Sequence, residues 1–141
     1  MADQTDEATM TLLVYSDDVD TRARVKQAIG RRPAADVPRV TWLECATGPA
    51  VIDALDKGKV DVAILDGEAA PTGGMGIARQ AKDEIYRCPP MIVLTGRPQD
   101  HWLAAWSRAE AAVAYPLDPI VLAEVVAEQM RRRRASLSIT G

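Results

Sequence analysis

The sequence predicts an α/β fold, one domain in which a parallel sheet of five strands carries helices on both faces. Three observations carry this expectation. Apolar, strand-like runs recur five times along the 141 residues. Each run is followed by a stretch of helical character, the alternation that parallel strands and crossover helices require. The length suits a single domain that buries a real core without disulfide or metal staples.

MTLLVYS (10–16) reads as the first strand, and residues 1–9, acidic and polar, as a disordered lead-in. Residues 18–30 follow as a helix, with Ala23 and Ile29 facing inward and Gly30 as its stop. Two prolines mark 31–38 as a loop. RVTWLECA (39–46) alternates as a strand near a sheet edge does. Residues 48–58 are a short helix with Pro49 in its first turn, where proline is tolerated. VDVAIL (60–65) is a near-continuous apolar run, the pattern of a strand buried on both faces. Helix 75–86, strand 90–95, helix 99–109 and a weaker strand 111–115 come next. The last helix spans 118–134 with Pro119 at its start, and 135–141 is a polar tail. The domain is thus 10–134, with no internal repeat or linker. Five strands in this alternation favour the order 2-1-3-4-5, a flavodoxin-like (βα)5 three-layer sandwich.

Composition removes several function classes. The chain is 48% hydrophobic and 26% charged, with a net charge of -3 and a pI near 5.2. That balance argues against direct DNA binding, which needs a basic surface and a reading element. No apolar stretch approaches the ~18 residues of a membrane span. The N-terminus lacks the character of a signal peptide, and a cytoplasmic protein is expected. Cys45 and Cys88 show neither metal-type spacing nor a disulfide framework, and read as buried thiols of a reducing compartment.

In open parallel sheets, ligands bind beyond the carboxyl ends of the strands, where the strand order reverses. The first strand ends in Ser16, Asp17 and Asp18, the third in Asp66, the fourth in Thr95 and the fifth in Tyr115. Asp18 and Asp20 open a helix, where acids cap and solvate. Asp17 and Asp66 gather on one rim, and clustered carboxylates repel unless a cation lies between them. Two acids with backbone carbonyls and water suit Mg²⁺. A carboxylate so placed can also attack phosphorus and form an aspartyl-phosphate, with the metal neutralising the transferring group. A flavin or nucleotide binder on this fold needs free N–H groups in its first loop, and the acidic SDDVDTR would repel phosphate.

Taken in order, LLVYSDDVDTR, VDVAILDGEAAPTGGMG, PMIVLTG and YPLDPIVL resemble the receiver domain of two-component response regulators over nearly the whole chain. The resemblance implies that Asp66 is the phosphoacceptor, Asp17 the main acidic Mg²⁺ ligand and the backbone carbonyl of Glu68 the loop ligand. Thr95 matches the hydroxyl that turns toward the phosphoryl group. The departures are specific. Ser16 stands where the first of two pocket acids belongs, although an alternative register pairs Asp17 with Asp18. Pro71 comes one position later than usual, beside three glycines. Tyr115 occupies the position of an almost obligatory lysine, and Ala112 that of a switch aromatic.

Two readings follow from the resemblance. One is a phosphorelay receiver phosphorylated on Asp66 by a histidine kinase in the presence of Mg²⁺. The other is a pseudo-receiver, a non-enzymatic regulatory protein that docks on a partner without that chemistry, and Tyr115 favours it. No helix-turn-helix or catalytic domain follows the fifth helix, so the chain is expected to act by binding another protein, as receivers often do through the fourth helix, fifth strand and fifth helix. Trp102 and Trp106, four apart, share a helix face. They fall where receivers carry outward charged residues, with Ala105 and Ser107 in the more buried slots, and mark a partner surface. His101 beside them reads as a surface residue. Arg131–Arg134 sit at a helix C-terminus, where cations are favourable. The alternative is a basic contact to an acidic protein or membrane surface. RRRRAS also resembles a basophilic kinase site.

Overall fold

The computed structural model describes residues 8–97 and 101–140. Five strands, β1 (Thr9–Tyr15), β2 (Arg39–Cys45), β3 (Val62–Asp66), β4 (Met91–Thr95) and β5 (Ala111–Ala114), form one sheet in the order β2-β1-β3-β4-β5. Every pairing is parallel. The helices are α1 (Val19–Ile29), α2 (Gly48–Asp56), α3 (Gly74–Glu84), α4 (His101–Ser107) and α5 (Pro119–Thr140).

Strand alternation divides the core into two layers. Leu12, Val14, Val62, Ile64, Ile92 and Leu94 face α1 and α5, where Val25, Leu122, Val126 and Met130 meet them. Leu13, Tyr15, Ala63, Leu65, Met91 and Val93 face α2 and α3, meeting Val51, Leu55, Ile77 and Ala78. All five residues of β3 are buried, as a strand covered on both faces requires. β2 is an edge strand with a mixed exposure pattern.

Local signals set the helix ends. Asp18 caps α1 by accepting from Asp20 N, and Gly30 ends it at φ 69°, a conformation that costs glycine no Cβ clash. Thr47 caps α2, with Pro49 in the first turn.

Several expectations are corrected. Ala23 is exposed, and α1 buries Thr21, Val25 and Ile29, a stripe at four-residue spacing. The lead-in is shorter than residues 1–9, because Thr9 already pairs with Arg39; residues 1–7 lie outside the described residues. Cys45 is buried but Cys88 only half-buried. The last helix does not stop at 134: α5 continues to Thr140. No glycine or proline interrupts it before Gly141, and the arginine run anchors its last turns.

That anchor gives Arg131–Arg134 a use beyond a solvated helix end. Arg131 forks onto Asp36, with Nε donating to Oδ2 at 2.8 Å and Nη2 to Oδ1 at 2.9 Å. Arg134 Nη1 donates to the Asp36 carbonyl at 2.8 Å. Arg133 Nε donates at 3.3 Å to Asp61, whose other oxygen accepts Thr11 N. The Arg131 guanidinium holds the Asp36 carboxyl well below 3.8, at about 2. Since the folded value is depressed, the clamp's contribution is full above the unfolded value and is lost as pH falls through about 2. Protection of the 131–137 amides against hydrogen exchange should therefore drop in that acid window, and Asp36→Asn should lower it at neutral pH. Unchanged protection in the variant would show that the fork anchors nothing.

Candidate functional site

The carboxyl ends of β1, β3, β4 and β5 meet around Asp66, which is 4% exposed. β1 ends buried at Ser16, and its Oγ donates to Asp66 Oδ2 at 2.8 Å. The same oxygen accepts Asp18 N at 3.0 Å, which orients its single proton toward Asp66. From β5, the Tyr115 hydroxyl donates to Asp66 Oδ1 at 3.1 Å. Glu68 N donates to the same oxygen at 2.9 Å. One buried carboxylate is therefore held by three neutral donors, which fill three of its roughly four lone-pair sites. Burial pushes the Tyr115 phenol well above its ordinary value of 10.0, and the Asp66 charge and hydrogen bond push it the same way. Tyr115 is thus a neutral donor across the physiological range.

The β3–α3 loop closes the site. Asp17 is exposed, and its Oδ1 accepts Ala70 N at 3.2 Å, so it ties the loop to β1. The Tyr15 hydroxyl, at the end of β1, donates to the Thr72 carbonyl at 2.5 Å. Burial, then the charges of Asp17 and Asp66, raise its pKa as well. Gly74 permits the close return of the chain: a Cβ there would lie 2.8 Å from the Asp66 carbonyl oxygen. The Glu68 side chain lies against Gly96, where a Cβ would fall 2.6 Å from its carboxyl carbon.

The described residues singled out in the sequence have definite places. Ser16 contacts Asp66 directly while Asp18 caps α1. Thr95 stands one residue beyond the β4 partner of Asp66 and is fully buried; its hydroxyl has no hydrogen-bond partner among the described residues. Ala112 is half-buried in β5 against the core layer of α2 and α3. Trp102 is 66% and Trp106 46% exposed on α4. Arg79 of α3 lies 4.9 Å from the Trp106 ring centroid and donates to the Trp106 carbonyl at 2.7 Å, so that ring is held in place. Ser107 is buried as expected, but Ala105 is exposed. The His101 side chain lies outside the described residues.

The residues present do not fit a resident Mg²⁺. A hard dication is favoured where carboxylates crowd, and here a serine hydroxyl, not a carboxylate, stands against Asp66. Three donors already compensate the one buried carboxylate. Among the described residues, no group of three or more His, Cys, Asp or Glu could hold a metal ion.

No family model matches the chain. It is 61% identical over 122 residues to the uncharacterized response regulatory protein of Mycobacterium tuberculosis, in strains H37Rv and CDC 1551. The match covers 86% of this chain and 92% of that protein. Among solved structures, it is similar to the signal receiver domain of a LuxO repressor protein from Vibrio parahaemolyticus. There the TM-score is 0.77 at 19% identity, over 95% of this chain and 99% of the other. A CheY-like response regulator receiver domain from Methanospirillum hungatei gives a TM-score of 0.70 at 17% identity, over 92% and 99%. Among the described residues, no helix is long and apolar enough to cross a membrane.

Proposed function

The chain belongs to the response-regulator receiver family, and from that membership we propose that it is a regulatory protein acting by docking on a protein partner, without a phosphorylation switch at Asp66. One observation carries the reading. Asp66 is already satisfied by the Ser16 and Tyr115 hydroxyls and the Glu68 N–H, all neutral donors, where a transferring phosphoryl group is stabilised by cationic ones. A neutral phenol offers one donor and no charge to a phosphoryl group. No step through Mg²⁺ enters this reading.

Docking is assigned to α4. Exposed tryptophans give large contact area at low entropic cost, and the Arg79 stack fixes Trp106 before any partner arrives. The phosphorelay alternative keeps Asp66 as nucleophile and Thr95, whose hydroxyl has no partner among the described residues, as phosphoryl partner.

Intact-mass analysis after incubation with acetyl phosphate and Mg²⁺ separates the two. Folded protein should show no phosphate-sized gain. A gain that disappears in Asp66→Ala would establish the phosphorelay reading instead.

A further inference from the structure

The two ends of the sheet carry opposite charge. In this topology every α-to-β connection lies at the amino ends of the strands, together with the C-terminus of α5. The segments 30–39, 57–61, 85–90, 108–110 and 131–137 hold eleven of the chain's 17 lysines and arginines, against three carboxylates. The opposite rim, at 16–18, 46–47, 66–73, 96–97 and 115–118, holds five carboxylates against Arg97 alone. A chain of net charge -3 therefore presents a strongly basic pole. Asp3, Asp6 and Glu7, which precede the described residues, leave that excess in place.

Internal pairing absorbs only part of it. The Asp36 carboxylate takes Arg131 and its carbonyl takes Arg134, Asp61 takes Arg133, and Asp53 and Asp83, just outside these segments, take Lys57 and Arg108. Arg132 reaches Glu128 only at 3.9 Å, and Arg31, Lys59 and Arg87 are exposed. Apolar groups stand at the same pole. Tyr86 is 84% exposed with the Arg87 guanidinium 5.3 Å from its ring centroid, and Leu137 is 45% exposed on the last turns of α5.

We propose that this basic pole binds the anionic surface of a phospholipid membrane peripherally, with Tyr86 and Leu137 entering the headgroup layer. Clustered Lys and Arg are attracted to anionic headgroups, and aromatic and leucine side chains settle at that interface. An extended negative plane also repels the acidic rim, so it orients the molecule with the Asp66 site facing away. A nucleic acid is less suited, because on α5, the helix that ends at this pole, Arg131, Arg133 and Arg134 are turned onto Asp36 and Asp61 rather than along a face that would follow a groove. The proposal is independent of how Asp66 is used.

The test is co-sedimentation of the full chain with vesicles of phosphatidylglycerol and phosphatidylcholine, beside phosphatidylcholine alone, at ~0.15 M salt. Binding should require the anionic lipid and fall with added salt. Each basic residue near such a surface contributes roughly fivefold in affinity, so Arg31→Glu/Lys59→Glu/Arg132→Glu should weaken it by about a hundredfold or more. Leu137→Asp should weaken it without touching a cation, as burial of an apolar group predicts. Circular dichroism and unfolding midpoints confirm that the variants fold. Absence of binding to anionic vesicles overturns the proposal, as does equal binding by the folded triple variant. Capture of polyglutamate or duplex DNA with no vesicle binding would also overturn it, in favour of an acidic macromolecule.

Discussion

The Ser16→Asp/Tyr115→Lys double variant should gain both Mg²⁺ binding and phosphorylation of Asp66 by acetyl phosphate, neither of which we expect of the parent. Ser16 gives Asp66 a neutral donor at 2.8 Å, and a carboxylate in its place faces Asp66 with like charge. That repulsion is what makes a hard cation favourable there. The Tyr115 hydroxyl lies 3.1 Å from Asp66 Oδ1, within reach of an ammonium built on the same backbone position. At ~4 Å and an effective dielectric of ~20, such a contact is illustratively ~4 kcal/mol before desolvation. Neither change should suffice alone for phosphorylation. Ser16→Asp supplies the metal site without the cation that holds the phosphoryl group, and Tyr115→Lys neutralises Asp66 without supplying a metal ligand. Loss of one preorganised electrostatic group typically lowers such a rate by about 10²-fold or more, so the double variant should exceed either single variant by that order. Calorimetric titration with Mg²⁺ and intact mass, each beside an Asp66→Ala control, read the two gains. A folded double variant that takes up neither would place the block in the loop around Pro71 instead.

The sheet was legible because its signals are local. The β3 and β4 runs are apolar on both faces, so their burial on both sides shows in composition alone. The alternation of strands and helices limits the topology, and Gly30 ends α1 at a positive φ. Ala23 misled because alanine is compatible with either face, whereas Val25, two residues on, fixed the stripe. The end of α5 misled because polarity was read as a stop. Its last turns are held by Asp36 and Asp61, 95 and 72 residues away in sequence, a relation no window can show. At the rim, strand ends located Ser16, Asp66, Thr95 and Tyr115. The donor directions did not follow from position: Tyr115 could have pointed outward, and Tyr15 reaches Thr72 across 57 residues.

Asp66→Ala should destabilise the domain, and the sign of the change discriminates between the two readings. In a pocket of crowded carboxylates, removing one relieves repulsion and the folded state gains. Here Asp66 is the acceptor for three donors, two of them side-chain hydroxyls drawn from β1 and β5. Alanine leaves the buried Ser16 hydroxyl and the half-buried Tyr115 hydroxyl without their acceptor. Hydrogen bonds to a charged group contribute about 1.5–3 kcal/mol each, and part returns as the hydroxyls reorient. We expect a net loss of about 3–5 kcal/mol, a large share of the ~5–15 kcal/mol that holds a small domain together. Asp66→Asn keeps one acceptor oxygen but turns an amide N–H₂ toward Ser16, whose oxygen already accepts Asp18 N, so its loss should be smaller, about 1–2 kcal/mol. Tyr115→Phe in the Asp66→Ala background should then cost less than in the parent, because the partner is already gone. Urea unfolding with an unchanged m value measures all of these. If Asp66→Ala proves more stable than the parent, the pocket is strained by charge, and the Ser16 and Tyr115 hydroxyls do not compensate the carboxylate they touch.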